Sequence, residues 1–322
     1  MNIYNSKKVK IMIVGDIMLD KYWQGNIGRK SPEAQVPVVK INNSINQPGG
    51  AANVAMNIAS LGKYSKLIGI TGNDNNALIL KKILHKRIIN NIICISKYKT
   101  ITKLRILSDN KQIIRIDFEE NFNKFNNEII YKKIKKSIKN IKIVILSDYN
   151  KGTLNNIKKI INLTQKMCIP ILIDPKGADF KKYYGATILT PNLNEFELIV
   201  GKCKNENKMI NKGMKLIRNL NLSALLITKS KEGMTLLQKN KKPVHFNAIS
   251  KEALDVTGAG DTVISMIAIS LINGNTLEQA CFKANIAASM VVNKFGTSTV
   301  TNKEFNKQKN LIIKKDKKNN KK

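Results

Sequence analysis

Short apolar runs separated by stretches of helical spacing recur along almost the whole chain. Residues 9–14 are β-branched and apolar and break at Gly15-Asp16, which predicts a buried strand running into a loop. Similar runs at 66–70, 141–146, 169–173, 188–190 and 224–228 predict further strands, and Leu236 with 244–249 extends the sheet. Between them, 77–84, 127–139 and 209–220 show helical spacing, while 263–272 and 280–292 are apolar enough to form buried helices. This alternation predicts an α/β fold with a mainly parallel sheet and right-handed crossovers. Residues 22–37 interrupt the pattern, being polar and irregular, and 36–41 is strand-like. Runs at 92–95 and 102–106 read as edge strands and 112–117 as one more. The irregular pieces together predict a small β lid built from segments near 20–45 and 92–118.

Bulk composition narrows the class. The 322 residues are 43% apolar, enough for one large α/β domain or two small ones. No run approaches the ~18 apolar residues of a membrane span. The first ten residues lack the apolar segment of a secretory signal, so a cytoplasmic protein is expected. The four cysteines are far apart, show no metal-binding spacing, and read as free thiols. The net charge of +34 would ordinarily suggest nucleic acid, but only five of the cations are Arg, and base reading favours Arg. Specific nucleic-acid binding is therefore not expected. Residues 302–322 are rich in Lys and Asn and read as a frayed helix running into a disordered tail, which leaves 1–301 as the main unit.

The chemistry concentrates at Asp255-Val256-Thr257-Gly258-Ala259-Gly260-Asp261-Thr262, where a glycine loop opens onto an apolar run. Amides at a helix start favour anions, phosphate above all. A carboxylate placed there, at Asp261, suits proton abstraction from a hydroxyl that attacks a phosphoryl group. It equally suits a glycine turn with a capping aspartate. A second glycine joint, Gly49-Gly50, precedes a small-residue helix carrying Asn53. Asn192 and Glu195 share one side of a first helical turn, which suits either water-mediated Mg²⁺ or a plain capping box.

Strand ends supply the remaining candidates, because ligands in α/β sheets sit beyond the carboxyl ends of strands. Asp16 and Asp20 suit a polyol or a turn, and the turn reading explains Asp16 as well as a ligand does. Asp148 and Lys151 follow 141–146, and Lys176 follows 169–173. Lys103 and Arg105 share one strand face, as a cationic pair for a phosphorylated sugar would. Lys103 is read as solvated and Arg105 as the substrate contact.

The 255–262 stretch closely resembles the C-terminal signature of the ribokinase-like (PfkB) carbohydrate kinases, and Gly49-Gly50-Ala51-Ala52-Asn53 resembles their N-terminal signature. The resemblance implies a ribokinase-like three-layer sandwich with a small β lid. It also implies Asp261 as the catalytic base, with Gly258, Ala259 and Gly260 around the transferring phosphate. Asn53 would contact the sugar beneath the Gly49-Gly50 hinge, together with Asp20. ATP would lie against Thr228, Gly233 and Asn285, and Mg²⁺ near Asn192, Leu193, Asn194 and Glu195. Further blocks, Gly15 to Trp23, Ser31-Pro32-Glu33-Ala34, Val36 to Lys40 and Pro48 to Ala55, look like the heptose-7-phosphate kinases of lipopolysaccharide inner-core synthesis, and this likeness extends to about residue 300. It implies phosphorylation of D-glycero-D-manno-heptose 7-phosphate at C1, on the route to ADP-heptose. Many such proteins carry a second, nucleotidyltransferase domain with an H-x-G-H site. Neither His85 nor His245 fits it, so kinase activity alone is expected. Expected partners are a sugar phosphate, ATP and a second copy through the lid, with no membrane. Another PfkB sugar kinase, a binding-only descendant and a basic nucleic-acid binder remain alternatives.

Overall fold

The computed structural model describes residues 9–109, 111–250 and 253–319, with side chains to residue 314. Fifteen strands are described: β1 (Ile11–Gly15), β2 (Ile17–Lys30), β3 (Pro37–Gly50), β4 (Ser65–Ile68), β5 (Ile70–Gly72), β6 (Ile88–Asn90), β7 (Ile93–Ile95), β8 (Thr102–Ser108), β9 (Lys111–Phe118), β10 (Ile143–Ser147), β11 (Ile171–Asp174), β12 (Ile188–Leu189), β13 (Ala224–Thr228), β14 (Met234–Gln238) and β15 (Val244–Phe246). The described helices are α1 (Ala51–Ser60), α2 (Asn75–Ile83), α3 (Glu128–Ser137), α4 (Ile157–Lys166), α5 (Leu193–Val200), α6 (Glu206–Asn219), α7 (Ala259–Ile272), α8 (Leu277–Val291) and α9 (Asn302–Asn319). None of them is long and apolar enough to cross a membrane.

The main sheet runs β15-β14-β13-β12-β11-β10-β1-β4-β6. Its pairings are parallel except at the β13-β14-β15 edge. Alternate residues of β1 enter opposite layers: Ile11 and Ile13 pack with α1, α7 and α8, and Met12 and Val14 pack with α3, α4 and α6. A strand covered on both faces needs no polar side, which is why β1 reads as a continuous apolar run. The result is the expected three-layer α/β arrangement with a mainly parallel central sheet.

The lid differs in detail from the sequence reading. Polar residues 22–37 are mostly strand: β2 and β3 pair antiparallel along nearly their whole length, and β8 and β9 complete a four-stranded sheet in the order β3-β2-β8-β9. β8 lies inside this sheet, not at an edge, and β7 pairs with β5 outside it. The lid strands thus span 17–50 and 102–118 in place of 20–45 and 92–118. Ladder hydrogen bonds hold them, and because the outer half of β2, most of β3 and all of β9 are largely exposed, the hydrophobic periodicity that marks a buried strand is missing there. At the other end of the chain, α9 makes a continuous helix of Asn302–Asn319 and seats Phe305 in the core. The end of the expected disordered tail, 320–322, lies outside the described residues.

Candidate active site

The carboxyl ends of β1, β10, β11, β12 and β13 deliver polar residues to one edge of the sheet. A cavity of about 610 Å³ opens there. Its walls include Asn192, Leu193, Asn194 and Glu195 from the start of α5, Thr228 and Gly233 from the turn after β13, and Asn285 of α8. Ala259 and Gly260 of the α7 start complete it, with Asp148 and Lys176 on the opposite rim. A larger hollow of about 940 Å³ lies between α4, α5 and α6, away from these strand ends and from both glycine joints.

Gly258 caps α7 with φ 76°, a left-handed conformation that favours glycine. A Cβ there would stand 2.7 Å from the Asn53 amide nitrogen. The first-turn N–H groups of Gly260 and Asp261 have no intrahelical acceptor and stay available to an anion. Asp261 itself is 3% exposed. Its Oδ2 accepts from Asn53 Nδ2 at 2.7 Å and its Oδ1 from the Tyr149 hydroxyl at 3.4 Å. Burial pushes its pKa up to about 7, against the opposing hydrogen bond from Asn53, and the nearby Asp20 adds to the rise. Asn57 locks this corner by donating to the Asn53 carbonyl while accepting from the Thr262 hydroxyl. Small residues make that approach possible, since Ala51, Ala52, Ala55 and Ala59 of α1 are wholly buried.

Asp20, Gly49, Gly50, Asn53, Arg105 and Asp261 form a second cluster beneath the lid. Arg105 donates to Asp20 in a buried ion pair at 2.7 Å. A Cβ at Gly49 would lie 2.4 Å from Asp20 Oδ2, and Gly50 turns the chain into α1 at φ 58°. Tyr149 joins the two halves, lining the cavity with one edge and touching Asp261 with its hydroxyl.

Several candidates have structural partners. Asp16 is fully buried and accepts backbone N–H groups from Tyr149, Lys151 and Thr153, so it braces the loop after β10. Asp148 pairs with Lys182 and accepts from the Tyr183 hydroxyl, both at 2.7 Å. Lys151 pairs with Glu119. Asn192 and Glu195 do form the capping box, and Glu195 also holds Lys176 at 2.7 Å. Asn285 donates to the Asn247 carbonyl while lining the cavity. Tyr149 and Asp174 carry no motif that marks them in the sequence. Asp174 lines the cavity, and burial, reinforced by the charges of Asp261 and Glu195, holds its pKa well above the usual carboxylate range. One signal could have found it, since it ends a strand as Asp16 and Asp148 nearly do.

The pfkB family carbohydrate kinase pattern matches residues 9–304. An uncharacterized sugar kinase of Buchnera aphidicola subsp. Schizaphis graminum is 55% identical over 312 residues, covering 96% of this chain and 99% of that one. The bifunctional protein HldE of Yersinia pseudotuberculosis is 51% identical over 296 residues, covering 92% of this chain but only 62% of HldE. Among solved structures, phosphofructokinase-2 from Escherichia coli superposes with TM-score 0.78 at 16% identity, covering 93% of this chain and 97% of that one. Arabidopsis thaliana ribokinase complexed with ribose and ATP superposes with TM-score 0.73 at 19% identity, covering 93% and 98%. By its family match and its relatives, the chain belongs to the pfkB carbohydrate kinases and is an ATP-dependent sugar kinase.

Proposed function

We propose that the chain transfers the γ-phosphoryl group of ATP to the C1 hydroxyl of D-glycero-D-manno-heptose 7-phosphate, giving the 1,7-bisphosphate on the route to ADP-heptose in the cytoplasm. The observation that carries the reading is Asp261: a buried carboxylate, with pKa near neutrality, at the junction of the nucleotide-sized cavity and the cluster under the lid. ATP lies against Thr228, Gly233 and Asn285, with its γ-phosphate toward Ala259 and Gly260. The sugar sits against Asn53, Asp20 and the Gly49-Gly50 joint. Asp261 takes the proton of the attacking hydroxyl, the hydroxyl oxygen bonds to γ-phosphorus, and the bond to the bridging oxygen of ADP breaks. The α7 amides stabilise the charge spread over the migrating group.

Mg²⁺ fits this site through water and phosphate oxygens. Each Glu195 oxygen already accepts one contact, from the Asn192 N–H or from Lys176. Among the described residues no group of three or more His, Cys, Asp or Glu side chains gathers to hold a metal. Asp174 supplies a carboxylate without a hydrogen-bond partner among the described residues, so Asn192, Glu195 and Asp174 would orient the ion's waters. When bound, Mg²⁺ neutralises the triphosphate charge.

The heptose assignment rests on the blocks at 15–23, 31–40 and 48–55 and on the 51% identity to HldE across 92% of this chain. A ribokinase- or fructokinase-like substrate is the second reading, supported by the shared fold. A panel of sugars and sugar phosphates with ATP and Mg²⁺ separates them. The heptose 7-phosphate is expected to give the highest kcat/KM, and faster turnover of an unphosphorylated pentose or hexose rejects it.

The lid supports a homodimer. Trp23, Ile106 and Ile114 lie in one cross-strand row, with Ile116 and Phe118 on the same face. Ile114 is 50% and Phe118 55% exposed. Such a patch favours a partner surface over water. Sedimentation is expected to show a dimer that Phe118→Asp weakens, and a monomeric parent removes this proposal.

A further inference from the structure

Lys103, not Arg105, is the residue that the geometry points to as the recognition site for a phosphate already carried by the sugar. This rests on the sugar-kinase site above and names a substrate class, a phosphorylated sugar, for it. Asp20, Lys103 and Asp117 lie directly across from one another on β2, β8 and β9. The next row on that face is Tyr22, Arg105 and Arg115. Four of the charges cancel in pairs: Arg105 holds Asp20 at 2.7 Å and Arg115 holds Asp117 at 2.9 Å. Lys103 lies between two acids that are already paired, and makes no ion pair of its own among the described residues.

Three further lysines around the site are also taken. Lys151 is held by Glu119, Lys176 by Glu195 and Lys182 by Asp148. Lys231 has no carboxylate partner among the described residues, but it belongs to the turn at the nucleotide end of the cavity. Lys103 is half-buried, and its ammonium lies 6.0 Å from the centroid of the Tyr149 ring. The hydroxyl of that same ring touches Asp261. One tyrosine side chain therefore separates the base from the unpaired ammonium. That arrangement suits a sugar whose reacting hydroxyl meets Asp261 while an anionic substituent meets Lys103. Burial lowers the Lys103 pKa even against the nearby charges of Asp117 and Asp20, each already paired with an arginine, and an arriving phosphate restores the lost stabilisation.

The test compares each sugar with its terminally phosphorylated form: mannoheptose and its 7-phosphate, fructose and its 6-phosphate, ribose and its 5-phosphate. The parent enzyme is expected to favour the phosphorylated member of its preferred pair by about 100-fold in kcat/KM. Lys103→Met is expected to erase most of that ratio through a KM for the phosphorylated sugar raised about 30- to 100-fold, the scale of one charged hydrogen bond. Lys103→Arg should retain most of it. The inference fails if the parent shows no preference in any pair, if the preference survives Lys103→Met, or if both members of a pair fall together. A different preferred sugar phosphate, with discrimination still dependent on Lys103, removes heptose from the proposed function and leaves this assignment standing.

Discussion

Asp261→Asn is expected to lower kcat by roughly 10²- to 10⁴-fold, the usual worth of a positioned general base, with ATP affinity nearly unchanged. Asparagine keeps the size of the side chain and can still accept from Asn53, so the α7 start should hold its shape. What disappears is the ability to take a proton. Because burial places the Asp261 pKa at about 7, kcat/KM of the parent should rise with pH through that value and level off above it. Stability should move the other way. A carboxyl whose folded pKa is raised binds its proton more tightly in the folded chain. Its contribution is therefore greatest at low pH and is lost as pH rises from about 4 to about 7. Asp261→Asn should then be more stable than the parent at pH 8, by on the order of a few kcal/mol, with the difference shrinking toward pH 4. Parent-like turnover in this variant would remove the base assignment.

Arg105→Ala should give the largest loss of stability among the site substitutions. Asp20 is 3% exposed, and Arg105 is its only ion-pair partner among the described residues. Removing one member of a buried pair costs about 3–5 kcal/mol, because the other is left dehydrated and uncompensated. Burial already raises the Asp20 pKa despite Arg105, and loss of the guanidinium raises it further. The deficit should thus be greatest at high pH and shrink as the pH falls and Asp20 takes up a proton. The guanidinium also lies 5.1 Å from the Tyr22 ring centroid, so packing is lost as well. KM should rise for phosphorylated and free sugars alike, since the substitution disturbs Asp20 and not a phosphate contact. Asp20→Asn/Arg105→Met, which removes both charges, should recover much of the stability without recovering sugar turnover. A parent-like melting temperature for Arg105→Ala at pH 8 is incompatible with this account.

Sequence and structure agree most closely where local chemistry and tertiary role coincide. The buried strands β1, β10 and β13 were legible because an element covered on both faces must be apolar throughout. Gly258 and Gly50 were legible because a positive φ needs glycine and the two joints follow recognisable patterns. In the lid, β8, β9 and the start of β3 were legible at 102–106, 112–117 and 36–41, but β2 was not, because its polar outer half is ordered by pairing with neighbours rather than by burial. The meaning of each charged residue was not legible either. Asp16 and Asp20 both follow β1, yet one accepts three backbone amides and the other an arginine from β8, and no local feature separates them.

By itself, then, the sequence determined the alternation of strands and helices and the two glycine joints, since each depends on residues adjacent along the chain. Only the tertiary structure decided which charges cancel. Asp20 meets Arg105 and Asn53 meets Asp261 across separations of 85 and 208 residues. Coulomb attraction and dehydration depend on distance in space, so the unpaired ammonium of Lys103 becomes visible only once Asp20 and Asp117 are seen to hold Arg105 and Arg115.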